Sequence, residues 1–203
     1  MPSFEYELQA TNKGFTAICG CDEAGRGPLC GPVVAAAVIL PYGVEIEGLN
    51  DSKKLTEKKR EKLFDIIIEK ALAYGIAEAT PEEIDDINIL NASMLAMRRA
   101  VDKLQVKADF ALIDGNCSRG FDIPTQTVIK GDSISYSIAA ASILAKVTRD
   151  RICFELDREF PEYGIAKHKG YPTKDHMDAV RKFGIAPIYR RTFLKFLNNN
   201  ADT

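Results

Sequence analysis

The chain has 203 residues, a length that fits one ordinary domain and needs no disulfides to bury a core. Hydrophobic residues at 46% and charged residues at 28% exclude wholesale disorder, and no apolar run approaches the roughly 18 residues of a membrane span. The net charge of −2 is unevenly spread: residues 146–195 carry 12 basic and 7 acidic side chains, a bias that suits a polyanionic ligand or a solvated helix face.

The opening MPSFEYELQATNKG has no basic flank before an apolar stretch, so no secretory leader is expected. Residues 16–22 and 33–40 read as strands joined by the Gly/Pro-rich EAGRGPLCGP. The second, VVAAAVIL, is continuously apolar, as a central strand buried on both faces would be. Residues 56–72 read as a helix capped by Thr56, and residues 74–79 as a third strand. Thr80, Pro81 and Glu83 form a capping-box pattern, with a second helix near 91–104. FALID (110–114) and TVIK (127–130) are short strands. Residues 133–160 make a long helical pattern whose small residues at the start allow close packing on a sheet. A short helix over 173–184 has Thr173 as cap and Gly184 as stop, and the tail LNNNADT is expected to fray. The pattern predicts an α/β domain with a mixed sheet and a helical C-terminal part.

Five cysteines, an odd number with no C-x-x-C pair, point to buried reduced thiols in a cytoplasmic protein; a zinc site is the rival. Cys19 and Cys21 would share one face of a strand.

Four acids fall at element ends beside glycines: Asp22 and Glu23 close the first strand, Asp114 closes FALID, and Asp132 follows TVIKG. Strand ends are where sites collect in open α/β sheets. Singly, each acid reads as a cap or surface charge, and Asp132 is a natural N-cap. If the two strands are neighbours, however, Asp22 and Asp114 meet. Two carboxylates about 4 Å apart repel by about 4 kcal/mol at an effective dielectric of 20, so such a set calls for a cation. All-oxygen ligands suit Mg²⁺ or Mn²⁺ rather than zinc, and two such ions can serve phosphodiester hydrolysis.

The segments CDEAGRGPLCGPVVAAAVIL, LNDSKKL, LIDGN, KGDS followed by SIAAASILAKVTRD, and YG followed by HKGYPT stand in one order between about residues 17 and 193. Together they resemble the successive signatures of bacterial ribonuclease HII, the type 2 ribonuclease H family. The resemblance implies a ribonuclease H-like fold: a mixed five-stranded sheet flanked by helices, over a single catalytic domain (1–203) with residues 160–203 as a helical extension. It implies an endonuclease that cuts the RNA strand of RNA–DNA hybrids and incises at single ribonucleotides in duplex DNA. Asp22, Glu23, Asp114 and Asp132 match the family's catalytic acids. Gly25, Arg26 and Gly27 resemble its ribose-sensing loop, and Tyr171 matches the tyrosine that stacks beside the ribonucleotide.

The residues are compatible with those roles, although by themselves the glycines also read as a structural tight turn and Tyr171, before a proline, as a turn residue. Glycines let backbone groups approach a 2′-OH, the group that tells RNA from DNA, and Arg26 can hold a phosphate. A P-loop is the alternative for the glycines, but Arg26-Gly27 stands where Lys-Ser/Thr is needed. A tyrosine beside Lys167, His168, Lys169 and Lys174 suits nucleic-acid contact. Ser52, Lys53, Lys54 and Lys146 are expected near phosphates, although Lys146 could pair with Asp150 one turn on. Arg190 and Arg191 read equally as phosphate binders or a solvated face. His168 is expected beside the groove and His176 on a helix surface; a histidine acid–base pair has no other support. A monomer is expected, with no membrane partner. The rivals are a non-cleaving binder of hybrid RNA and a DNA-only nuclease of the same fold; the Gly-Arg-Gly loop argues against the second.

Overall fold

The computed structural model describes the backbone of residues 2–200 and the side chains of residues 2–197; most of the tail expected to fray lies outside these. Five strands, β1 (Ile18–Ala24), β2 (Val33–Ile39), β3 (Ala73–Ala79), β4 (Phe110–Asp114) and β5 (Thr125–Val128), form one sheet in the order β3-β2-β1-β4-β5. The first three run antiparallel as a meander, while β4 joins β1 in parallel and β5 joins β4 in parallel. The sheet is therefore mixed, as expected, and β1 lies at its centre.

Among the described residues seven α-helices accompany it: α1 (Glu5–Asn12), α2 (Glu57–Lys70), α3 (Pro81–Asp102), α4 (Gly131–Ile134), α5 (Tyr136–Glu159), α6 (Ile165–His168) and α7 (Lys174–Phe183). The period-2 alternation of β2 explains why its apolar run is unbroken. Val33, Ala35, Ala37 and Ile39 pack with Ala92, Ala96, Met97 and Ala100 of α3 on one face. Ala36 and Val38 pack with Ala140, Ile143 and Leu144 of α5, and with Phe64 and Ile67 of α2, on the other. Cys19 and Cys21 do share a face, toward α3, with their sulfurs 3.8 Å apart.

The close seat of α5 depends on small residues. A methyl group on Gly20 of β1 would sit 2.3 Å from the backbone nitrogen of Ile138 and from the carbonyl carbon of Ser137. Only a glycine there lets α5 cross β1 at this height.

Several helix ends follow the expected chemistry. Thr56 accepts from the Lys59 amide, Thr173 from the His176 amide, and the Thr80–Glu83 capping box closes in both directions. The helix that starts at Pro81 and the helix near 91–104 are the two halves of α3, broken at Asn88, whose φ is 65°. Its side-chain oxygen accepts from the Leu90 and Asn91 amides and recaps the second half. The predicted 133–160 helix is interrupted as well. Ser135 is extended and caps α5 by accepting from Ile138, so Asp132 belongs to the separate short α4, behind Lys130 in a left-handed conformation. Asp132 is thus not the N-cap of the long helix; Ser135 is.

Helix α1 had no clear sequence signal. Its buried Glu7 accepts from the Ser135 hydroxyl and the Ser137 amide, so it anchors the α4–α5 junction. The C-terminal helices form a small core of their own with Leu29, Cys30 and Cys153. No helix among the described residues is long and apolar enough to cross a membrane.

Candidate active site

Strand register fixes the first pair of acids. Cys21 lies opposite Ile113 in the parallel β1–β4 pair, so Asp22 and Asp114 stand side by side at the ends of adjacent strands. Glu23 follows on β1. Asp114 accepts from the Gly131 amide at 2.6 Å, which brings α4 and its Asp132 to the same strand end. Lys53 reaches in from the 51–54 turn and pairs with Asp132 at 3.3 Å. Asp22, Glu23 and Asp114 line one cleft of about 340 Å³ with Gly25, Arg26, Gly27, Ser52, Lys53, Lys146 and Tyr171. Asp132 is not part of the lining; it is 5% exposed, with the Lys53 ammonium on its Oδ2.

The cleft strains its own charges. Burial pushes the Asp22 carboxyl well above the ordinary carboxylate range, and the charges of Glu23 and Asp114 push it further. Burial also raises Glu23, with Arg26 pulling against it and Asp114 adding to the rise. Burial and then the charge of Asp132 raise Asp114. Partial burial works against the charge of Lys53, but the contact with Asp132 and the nearby Asp22 and Asp51 outweigh it and raise its pKa.

Each acid has a local partner: Asp22 accepts from the Glu23 amide, Glu23 pairs with Arg26 at 3.3 Å, Asp114 holds Gly131 and Asp132 holds Lys53. Among the described residues, no three His, Cys, Asp or Glu side chains converge into a ready-made ion cage. The donor chemistry still fits a hard divalent cation. The ligands are carboxylate oxygens alone, three of them are held above their ordinary pKa by burial and neighbouring charge, and a cation would relieve that excess.

The Gly-Arg-Gly loop turns at Gly25, whose φ of 99° favours glycine. It packs on the Tyr171 loop: the position of a Cβ on Gly27 would be 3.2 Å from the tyrosine ring, and the Leu29 amide donates to the Gly170 carbonyl at 2.8 Å. Tyr171 is 46% exposed and open to stacking. Ser52 is buried and accepts from the Ser142 hydroxyl at 2.8 Å. Lys146 pairs with Asp150 at 2.6 Å and also lines the cleft, so both sequence readings of it hold geometrically.

Other expectations need correction. Lys169 is outside the cleft lining; its ammonium donates to the Ala166 carbonyl and lies 3.7 Å from the Phe154 ring centroid. His176 is not on a helix surface but fully buried. Its Nδ1 lies 2.9 Å from the Tyr171 carbonyl, which can only accept, so Nε2 is left to accept from the Tyr189 hydroxyl. His168 stacks on it at 4.1 Å and bonds the Tyr163 carbonyl. Arg190 is neither a phosphate binder nor a solvated charge: it is 0% exposed and donates to the carbonyls of Gly25, Arg26, Pro28 and Gly31. Burial, and next the charge of Arg149, lower its pKa to about 9, which leaves it charged at neutral pH. Arg149, also buried, ties the carbonyls of Cys30 and Lys169 together. Sequence reasoning singled out neither Arg149 nor Ser142, although both lie within the quoted SIAAASILAKVTRD segment.

Comparison with known proteins gives the family. A family model described as Ribonuclease HII matches residues 19–198. The chain is 54% identical over 190 residues to a ribonuclease HII of Clostridioides difficile, covering 94% of this chain and 74% of that one. It is 59% identical over 176 residues to a ribonuclease HII of Dechloromonas aromatica, covering 87% and 90%. The crystal structure of the ribonuclease H2 from Pyrococcus horikoshii superposes with a TM-score of 0.74 at 30% identity, covering 91% of this chain and 98% of that one. The chain belongs to the ribonuclease HII family, and is by that membership a divalent-metal-dependent nuclease that hydrolyses the RNA strand of RNA–DNA hybrids.

Proposed function

We propose that the chain also incises duplex DNA on the 5′ side of single embedded ribonucleotides, and that it works with two divalent ions, Mg²⁺ or Mn²⁺. The observation that carries this reading is the shared cleft: paired acids at the ends of β1 and β4 face the same space as the Gly-Arg-Gly loop and Tyr171. Asp22, Glu23, Asp114 and Asp132 would hold the ions. When bound, the ions activate water and stabilise the departing oxygen of the scissile phosphodiester.

The protein's own groups do the rest. Amides of the 25–27 loop recognise the 2′-OH, Tyr171 stacks on the adjacent nucleotide, and Arg26, Lys53 and Lys146 neutralise flanking phosphates. Ser52 is buried against Ser142 and orders the turn that carries Lys53. Because the 2′-OH is read rather than used as the nucleophile, products carry 5′-phosphate and 3′-OH ends. The reading extends to a monomer built as one catalytic domain, with residues 160–203 as its helical extension, working in the cytoplasm; its five unbridged cysteines support a reducing compartment.

Asp132→Asn is the test. It should abolish cleavage of a ribonucleotide-containing duplex and leave binding within a few-fold of the parent; an active variant would remove Asp132 from the catalytic set.

A further inference from the structure

We propose that Arg190 is a positioning residue: it aims the Arg26 and Gly27 amides into the cleft and so sets the recognition of ribose. The inference rests on the reading of the 25–27 loop as the ribose sensor.

Arg190 lies 165 positions from Gly25, yet its four side-chain hydrogen bonds all go to carbonyls between Gly25 and Gly31, two of them within the 25–27 loop. Nη2 donates to Gly25 O at 2.7 Å, Nη1 to Arg26 O at 3.1 Å and Pro28 O at 2.8 Å, and Nε to Gly31 O at 2.9 Å. Its own amide donates to Leu29 O at 2.9 Å. Among the described residues no carboxylate pairs with this buried charge. Its hydrogen bonds all go to backbone carbonyls, with the Phe193 ring centroid 5.3 Å from the guanidinium carbon, so the guanidinium and the loop constrain each other.

The consequence follows from peptide geometry. Among the described residues all peptide bonds are trans, and a planar trans peptide points its C=O and N–H in opposite directions. With the carbonyls of Gly25 and Arg26 turned toward Arg190, the amides of Arg26 and Gly27 turn away from it. Neither amide donates to a protein acceptor among the described residues, and both residues line the cleft. A third peptide follows the same rule: the Pro28 carbonyl faces Arg190, and the Leu29 amide points outward to the Gly170 carbonyl beside Tyr171. A glycine-rich loop does not hold two free amides in register by itself. A rigid planar fork can, and a lysine, whose three donors radiate from one nitrogen, does not span the same carbonyls.

The experiment measures binding of two labelled duplexes, one with a single ribonucleotide and one all DNA, in Mg²⁺ and in an Asp132→Asn background where the substrate survives. The readout is the affinity ratio between them, which does not depend on the fraction of protein that folds. Adding Arg190→Lys should lower the ratio about tenfold while all-DNA affinity stays within about twofold, as expected for loss of one or two ordered hydrogen bonds. A purely structural role would weaken both duplexes equally, and an unchanged ratio overturns the inference while the ribose sensor stands. A parent with no preference for the ribonucleotide defeats the sensor and the inference together. If Arg190→Lys yields no folded protein, Asp85→Ala decides. Asp85 accepts from the Arg191 and Thr192 amides, so its loss loosens the segment carrying Arg190 and keeps the guanidinium. A lowered ratio there supports the proposal and a preserved one overturns it.

Discussion

Replacing Asp22 by Asn should make the metal-free protein more stable and the metal-loaded protein useless. Asp22 is 5% exposed and lies beside Asp114 on the adjacent parallel strand. Neighbouring strands are about 4.8 Å apart, and two unit charges at that spacing repel by about 3 kcal/mol at an effective dielectric of 20. The native carboxyl escapes part of this by taking up a proton, since burial and its neighbours raise its pKa. Asn removes the charge and keeps an oxygen for the Glu23 amide, now 2.8 Å from Asp22. The net gain should be about 1–3 kcal/mol, or about 3–9 °C in Tm for a chain of this size. Thermal unfolding in EDTA and in Mg²⁺ reads it directly. In EDTA Asp22→Asn should melt above the parent; in Mg²⁺ the parent should rise and the variant should barely respond. A variant that melts below the parent in EDTA would refute the idea that the cleft stores uncompensated negative charge.

The same charges set a pH dependence: for Asp22, Glu23 and Asp114 the folded-state pKa lies above the unfolded value of about 4, so metal-free stability should fall as pH rises from about 4 through the raised values, and Mg²⁺ should flatten that slope. His176 acts with the opposite sign. Burial lowers it to about 4, so its share of stability is complete above about 6.5 and lost as pH falls toward 4; His176→Gln should flatten the acid limb of the parent's curve in urea melts at stepped pH. Gly20→Ala should cost about 3 kcal/mol, because its methyl group meets the α5 backbone rather than a movable side chain; a chemical melt within about 0.5 kcal/mol of the parent would show that α5 can move off the sheet.

Strand β2, interior to the sheet though one place from its centre, was legible because its burial on both faces leaves no polar residue in VVAAAVIL. Helix starts were legible at Thr56, Thr80 and Thr173, where a capping threonine directly precedes the helical pattern. The interruption at Ser135 was hidden because residues on both sides of it fit a helical pattern; what breaks the run is Glu7, from a helix with little signal of its own. Three of the four acids could be grouped by expecting neighbouring strands, and the register of Cys21 on Ile113 is the physical fact behind that expectation. Arg190 and His176 were misjudged for one reason. Both bond to carbonyls, and the sequence near a buried polar residue does not show which distant backbone will solvate it. Exposure was assumed from residue type, and the fold overrode it.

The most direct test of the account uses a labelled DNA duplex with one embedded ribonucleotide beside an all-DNA control, each with Mg²⁺ and with EDTA. Cleavage is expected of the ribonucleotide duplex alone, in Mg²⁺ alone, on the 5′ side of the ribonucleotide. Cleavage of both duplexes would leave the acids of β1, β4 and α4 in place and contradict the ribose sensor, while cleavage in EDTA would contradict the metal-dependent centre itself.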